Sequence, residues 1–504
     1  MVKIEIIKPL KNKPAGWDIS DAIKKDQWSK RHVMGFIKSS KKIDTKKMNI
    51  MAWFDQQSGK PKMNHAFLAE YLKCQYGEDI RFNHTCRQWF IWNGKYWKAD
   101  NKGRINLLAI KSARHLYAEA IKWGKKDANA LEIAKYANRA QDEYHLRATI
   151  KLAESIDEIA MTQDEFDKKQ NLFNLKNGTY NLITHELQPH LRDDFITKIM
   201  SYEYSPDAGA SFWIRSVRFM FKRNNETIRY LQQLIGYSLA GNANEQIMVL
   251  LYGTGKNGKS TMISAWEFLL GDYARKGPQD MLMKQNVSRI PNDIAKIAGA
   301  RLVVCEEISR GYRLDEAKVK NLTGGDIINA RFLHQEFFEF RPTHLLVMVG
   351  NYKPKITDKD NGIWRRVKVL EFKVQIPSSI QISSTKIREK LKEELPGIFN
   401  WAIIGLKDYQ KNGLIESKDV KAASAMYREE SDEIAQFVND NIIQETGIKI
   451  EAKELYAEYL AHCKEIGCHP TGKNGFNTEL RNRGFRSIKG NANKLVWVGI
   501  GCKK

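Results

Sequence analysis

Apolar and polar positions in this chain follow two periods, and the change from one to the other marks out its elements. Over residues 62–76, Phe67, Leu68, Tyr71 and Leu72 recur at helical spacing. The next run, CRQWFIWNGKYWKAD, holds two aromatic-rich stretches around Asn93-Gly94, a strong hairpin signal. Long helical patterns fill 105–160, and 172–190 reads as short strands with a turn at Asn177-Gly178. Residues 61–205 are thus expected to form a mixed α+β unit. Helical patterns over 211–240 lead into an apolar strand, IMVLLYG, at 247–253. From there to about 370, strands alternate with helices, the signature of a parallel α/β sheet. Helices return over 384–430, punctuated by Pro396-Gly397. The expected fold is therefore α/β over 206–430, with the α+β unit before it.

Residues 431–504 change character. Amphipathic helices at about 431–444 and 451–466 precede a third near 474–483 that ends at Gly484. Two short strands, FRSI and LVWV, flank a KGNANK turn. Three helices closed by a hairpin predict a C-terminal winged helix. Residues 1–60 are Lys-rich and short of apolar periodicity, and read as a basic arm.

Composition narrows the class. The chain is 42% hydrophobic and 28% charged, with no apolar run long enough to span a bilayer and no apolar signal core in the first 30 residues. A cytoplasmic protein with no membrane partner is expected. The net charge of +23 points to a polyanionic partner, because each Lys or Arg that neutralises a phosphate releases counterions. Six Cys, sparse and without paired spacing, fit a reducing compartment. The cluster His462, Cys463, Cys468 and His469 is read as ordinary helix and turn residues. The aromatic group Trp89, Phe90, Trp92, Tyr96 and Trp97 is read first as core packing and second as a base-stacking surface.

Four motifs carry chemistry. Gly253, Thr254, Gly255, Lys256, Asn257, Gly258, Lys259, Ser260 and Thr261 complete a G-x-x-x-x-G-K-[ST] loop between a buried strand and a helix. Such a loop cradles a triphosphate with main-chain amides. Lys259 is expected on the β- and γ-phosphates of ATP and Ser260 on Mg²⁺. The strand in RLVVCEEIS ends in Glu306 and Glu307, assigned to the metal and to the attacking water. A second buried strand, in THLLVMVGN, carries Asn351 just past its end, where an amide can bond the γ-phosphate or the water. Arg365 and Arg366 follow a polar turn. Either a trans-acting arginine or simple surface charge accounts for them.

The ordered set GTGKNGKST, VVCEE, KNLTGGD, VMVGN and GIWRRV resembles superfamily 3 helicases of the AAA+ class. It is most similar to the phage and plasmid primase-helicase family, related to the poxvirus primase-helicase. ELPGIFNWAIIGL and the aromatic and NLKNGTYNL segments share that likeness, which runs over about 80–504. The resemblance implies a homo-oligomeric, hexameric ring moving 3′ to 5′ on one DNA strand. It also implies that Arg366, or Arg365, is the finger reaching a neighbour's ATP, and that Asn351 is a sensor. A pore hairpin is implied near Arg331–Phe338, with Arg331 and His334 on DNA. Asp193-Asp194 is adjacent and lies in a polar turn, so primase activity is not expected of this chain.

In the winged helix, Asn474, Asn477, Arg481 and Arg483 on the last helix and Lys489 and Lys494 on the wing are the DNA candidates. The implied function is an ATP-dependent replicative helicase or initiator of a phage, plasmid or other mobile element, working with host or element-encoded replication proteins. The alternatives are an ATP-switched DNA-binding initiator without motor activity and a P-loop enzyme acting on small phosphate acceptors.

Overall fold

The computed structural model describes residues 53–55, 58–124, 127–284, 292–306, 312–331, 333, 337–357, 360–465, 470–490 and 494–503. The first 52 residues of the basic arm lie outside them. Where the described chain begins, Trp53 packs edge-on to Phe67 with ring centroids 5.5 Å apart.

The first unit combines helix α1 (His65–Tyr76), strands β1 (Ile80–Asn83), β2 (Gln88–Trp92) and β3 (Trp97–Ala99), helices α2 (Arg104–Trp123), α3 (Ala128–Arg139) and α4 (Glu143–Ala153), and the short strand β4 (Ala160–Met161). Its sheet runs β3-β2-β1-β4. The Asn93-Gly94 turn closes as the sequence reading has it. Asn93 Oδ1 accepts from the Lys95 and Tyr96 amides at 2.9 and 3.0 Å, and Trp92 pairs with Trp97. The aromatics face inward: Trp89 and Trp97 are buried, and Phe90 and Trp92 pack against the buried cluster around Trp97.

Strands β5 (Leu172–Leu175), β6 (Gly178–Asn181) and β7 (Glu186–Gln188) form a separate three-stranded sheet. Phe173, Tyr180 and Tyr202 share their hydrophobic core with the parallel α/β body. Arg301 fastens this sheet to that body. Its buried guanidinium lies 4.3 Å from the Tyr273 ring centroid and donates to the carbonyl of Leu172 at 2.7 Å and to that of Leu239.

The α/β body follows. Helices α5 (Ser211–Met220) and α6 (Asn225–Ala240) lead to β8 (Met248–Tyr252), α7 (Lys259–Leu270), β9 (Ala274–Lys276), α8 (Asn292–Ala295), β10 (Leu302–Glu306) and α9 (Glu316–Thr323). A hairpin of β11 (Ile328–Arg331) and β12 (Phe337–Phe340) precedes β13 (Leu345–Gly350), α10 (Asn361–Trp364) and β14 (Val367–Glu371). Helices α11 (Ser384–Glu393), α12 (Leu395–Asn412) and α13 (Lys418–Glu430) complete it. Five strands pair in parallel in the order β14-β8-β13-β10-β9. Both faces are covered, so the strands read as unbroken apolar runs. Val249, Leu251, Val304 and Val347 face one core with Leu234, Trp266 and Phe399. Met248, Leu250, Val303 and Met348 face the other with Leu322, Ile363 and Tyr427.

Helices α6 and α12 cross at almost no side-chain thickness. A Cβ on Gly405 would lie 2.0 Å from the Gln232 carbonyl oxygen, and one on Gly236 would lie 2.2 Å from the Leu406 amide nitrogen. Backbone cannot give way as a side chain can. Gly405→Ala is expected to lower stability by about 2–3 kcal/mol, the scale of core overpacking. An unchanged urea midpoint would contradict this packing.

The C-terminal unit comprises α14 (Glu433–Asn441), β15 (Ile442–Glu451), α15 (Ala452–Glu465), α16 (Lys473–Asn482), β16 (Arg486–Lys489) and β17 (Leu495–Cys502), with sheet order β15-β17-β16. Here the structure corrects the sequence reading. The first helix stops at Asn441, and a ten-residue strand occupies 442–451. Its pairing with β17 slips between Gln444 and Lys449, and that irregularity breaks the period-2 signal. His462 and Cys463 are buried in the core of this unit. Among the described residues, no helix is long and apolar enough to cross a membrane.

Candidate functional site: a phosphate cradle at the sheet edge

The loop 253–258 leaves the exit end of β8 and enters α7, so the helix N-terminus and its free amides point at one spot. Left-handed backbone at Gly255 (φ 96°) and Gly258 (φ 93°) bends the loop. Lys256 shares that conformation at φ 46°, where a side chain is disfavoured, so local strain is stored at the loop tip. Two bonds hold it there: Ile376 donates to the Lys256 carbonyl at 2.8 Å, and Asn257 Nδ2 donates to the Phe372 carbonyl at 3.3 Å. Asn257 is buried, and its side chain serves the loop's shape.

Lys259 is the centre of charge. It is only 7% exposed. Its Nζ donates to the Gly253 carbonyl, to Asn257 Oδ1 at 3.3 Å and to Asn351 Oδ1 at 3.1 Å. All three are neutral oxygens, and burial holds the amine below the usual lysine pKa. A buried cation held by dipoles favours an arriving anion.

The same lysine lines a cavity of about 530 Å³ together with Ser260, Glu306, Asn351, Lys276 and Arg388. Parallel register explains the convergence. β10 and β13 run beside each other with Glu306 opposite Val349, so Glu306 and Asn351 emerge at the edge where the loop leaves β8. Glu306 is paired with Lys276 at 3.0 Å, and Lys276 also reaches Glu267 at 3.3 Å. Burial raises the Glu267 pKa. Burial would lower that of Lys276, but the Glu306 bond and the two carboxylates outweigh it and raise it. Ser260 is exposed to the cavity. With Ser260 and Glu306 it presents two oxygen donors of the kind Mg²⁺ takes. Glu307 lies outside the described residues.

Arg365 and Arg366 sit elsewhere. They precede β14, which is parallel to β8, so they lie at the entry edge of the sheet. A five-residue strand, about 16 Å, separates that edge from the loop. The two differ in burial. Arg366 is 8% exposed and donates to the Gly362 carbonyl at 2.7 Å. Arg365 is exposed and donates to Gln246 Oε1 at 3.1 Å.

The DNA candidates are scattered. Arg331 ends β11, its guanidinium 4.9 Å from the Phe337 ring centroid across the hairpin. His334 lies outside the described residues. In the C-terminal unit Arg481 and Lys489 are exposed, as is Asn474. Asn477 faces the core. Arg483 is bound to Asp432 at the start of α14, and Lys494 to Glu451 at 2.9 Å. The sequence reading did not single out Lys276, Arg388 or Gln246. Only Lys276, at the end of a short strand, carries any local signal.

Residues 67–222 match the family described as D5 N terminal like, 251–366 a family of unknown function, and 429–489 the family described as poxvirus D5 protein-like. "Putative helicase L207/L206" of Acanthamoeba polyphaga mimivirus is 25% identical over 340 residues, covering 63% of this chain and 35% of that protein. "Putative helicase 184R" of Invertebrate iridescent virus 6 is 24% identical over 365 residues, covering 64% and 37%. "Putative primase C962R" of African swine fever virus (strain Badajoz 1971 Vero-adapted) is 24% identical over 238 residues, covering 43% and 25%. The chain spans about a third of the length of the first two relatives. A solved structure of the NrS-1 C-terminal region aligns at 10% identity with a TM-score of 0.45, covering 87% of this chain and all of that one. The chain is thus similar, over two stretches, to the D5 families and, over part of its length, to putative helicases and primases of large DNA viruses.

Proposed function

We propose that this protein is an ATP-driven DNA helicase whose catalytic sites are completed between subunits of a ring. The observation that carries the reading is Lys259: a buried ammonium with neutral partners, at the mouth of a cavity shared with Ser260, Glu306 and Asn351. Triphosphate and Mg²⁺ neutralise that charge set in one step. Ser260 and Glu306 would hold Mg²⁺, which would supply Lewis-acid polarisation of the γ-phosphate. Glu306 is freed for the metal once Lys276 turns to the phosphates. Asn351, already bonded to Lys259, orients the attacking water, and the motif assigns Glu307 to the same water.

Among the described residues, neither Arg365 nor Arg366 at the entry edge of the sheet lines this cavity. A neighbour's Arg365 or Arg366 reaching this cavity would add to the Lys276 and Arg388 charges already lining it, and that arrangement needs a ring. Arg365 is better placed than Arg366 for this role. It is exposed, while Arg366 is spent on its own turn. This reverses the order of preference drawn from sequence.

The β11–β12 hairpin carries Arg331 and is the reading's DNA-moving element. The C-terminal unit, with three helices and a three-stranded sheet in winged-helix order, is its duplex-binding module. Arg481 and Lys489 are the contacts retained there, and Arg483 is reassigned to holding α16 against α14 through Asp432. Charge reversal at Arg481 and Lys489 together should weaken duplex binding about tenfold and flatten its salt dependence by about two phosphate contacts. Unchanged titrations at two salt concentrations would remove this module from the DNA path.

One observation favours a second reading, an ATP-controlled switch without motor activity. The segment after Asn351 is tied to the end of α13 by Lys353–Glu430 at 2.8 Å and a Tyr427 hydroxyl bond to the Pro354 carbonyl, and to the start of the C-terminal unit by Lys355–Glu433 at 3.4 Å. Both readings require hydrolysis stimulated by DNA. Steady-state phosphate release with and without single-stranded DNA tests that requirement. A rate that ignores DNA would point to a small-molecule phosphotransferase.

A further inference from the structure

Lys276 stands between two carboxylates. Its Nζ lies 3.0 Å from Glu306 Oε1 and 3.3 Å from Glu267 Oε1. Sheet register puts it there. β9 pairs in parallel with β10, with Lys276 opposite Val304, so Lys276, Val304 and Glu306 share one face of the sheet. Val304 packs on that face in the same core as Met262, Trp266 and Leu269 of α7. From the same helix Ser260, Ser264 and Glu267 line the cavity, at i, i+4 and i+7. Glu267 therefore lies about 10 Å along α7 from Ser260. The bond to Lys276 draws the Glu306 carboxylate toward the Glu267 end of the cavity and away from Ser260.

The charge balance of the cavity points the same way. Among the described residues, Lys259, Lys276 and Arg388 line it against Glu267 and Glu306. A bare divalent cation meets an excess of positive charge there, and the carboxylate that could serve it is already bonded to an ammonium. A triphosphate reverses the balance, because its oxygens offer Lys276 another anion. The Glu267 side chain is only 17% exposed and is fixed on α7. It can keep hold of Lys276 while Glu306 is exchanged for phosphate.

We infer that Lys276 is a positioning residue for Glu306: it withholds that carboxylate from a divalent cation until a triphosphate takes up its ammonium, so that metal enters the site only with nucleotide. The inference rests on the ATP reading above and deepens it, with Glu267 as the carboxylate that retains the lysine through the exchange. A purely structural ion pair is the alternative. The Lys276 side chain is 60% exposed, so such a pair adds little to the stability of the fold.

The test uses the full chain and Mn²⁺, whose free form is counted by its paramagnetic resonance signal. Without nucleotide, Lys276→Met protein should bind Mn²⁺ about tenfold more tightly than the parent, the effect of removing one positive charge a few ångströms from a divalent ion. Lys276→Arg protein should match the parent, and adding Glu306→Gln to Lys276→Met should abolish the gain. Binding of ATP in the presence of EDTA should weaken about threefold in Lys276→Met protein, the scale of one partly exposed ionic contact. The thermal midpoint should not move, and Lys276→Gln carries the same test if the Met variant fails to fold. Equal Mn²⁺ affinity in the parent and Lys276→Met protein, a gain that survives Glu306→Gln, or a gain in the Arg variant as well would overturn the positioning role and leave the phosphate cradle standing. Failure of the parent to bind ATP with or without Mn²⁺ would sink the ATP reading itself.

Discussion

Lys259→Ala protein should fold, and should hydrolyse ATP about 10²–10³ times more slowly than the parent, the cost of removing one preorganised charge from a developing phosphoryl transition state. The fold should survive because the ammonium is a burden to the empty protein. It is buried, its partners are neutral oxygens, and burial depresses its pKa. Losing it removes a desolvated charge and leaves carbonyl groups that water at the cavity mouth can satisfy. The thermal midpoint and the saturating turnover number in the presence of DNA are the quantities to measure. Turnover within about threefold of the parent, a change too small for loss of such a contact, would remove Lys259 from the chemistry. A collapse of the midpoint would mean that the lysine holds the loop rather than the phosphate.

Arg365→Ala should lower turnover by about 10³, as removal of an arginine finger does, and leave the affinity for ATP nearly unchanged. The guanidinium lies at the sheet edge opposite its own loop, and in the proposed ring it acts only on a neighbour's ATP. Subunit mixing gives the sharper form of this prediction. In mixed rings, a Lys259→Ala subunit still offers its Arg365 to an adjacent Arg365→Ala subunit with an intact loop, so mixtures should regain activity that neither variant has alone. Absence of any regain in stably mixed rings would contradict a shared site. Arg366→Ala should act differently. It deletes bonds to Gly362 and Gln246 from a buried side chain, and should lower stability by about 2 kcal/mol.

What could be read from the sequence divides by range. The phosphate loop was legible because its nine residues, the strand before and the helix after are contiguous. Glu306 and Asn351 were legible because each ends a buried strand, and parallel register brings strand ends together without further information. The choice between Arg365 and Arg366 was not. The two have the same chemistry one residue apart, and only tertiary burial separates them. Nor was the attachment of β5–β7 to the α/β body, because it depends on Arg301 meeting Tyr273 and the Leu172 carbonyl across the fold. Asn477 and Arg483 illustrate the reverse error. A helical run near a basic turn named them as DNA contacts, whereas packing turns the first inward and Asp432 occupies the second.

The central claim is that ATP held in the Lys259 cradle is spent on separating DNA strands. Strand displacement from a forked duplex, followed with ATP and with a non-hydrolysable analogue, tests it most directly. The account predicts displacement by the parent with ATP, none with the analogue and none by Lys259→Ala protein. DNA-stimulated hydrolysis without displacement would make the protein a switch, and displacement by the Lys259→Ala variant would place the motor elsewhere.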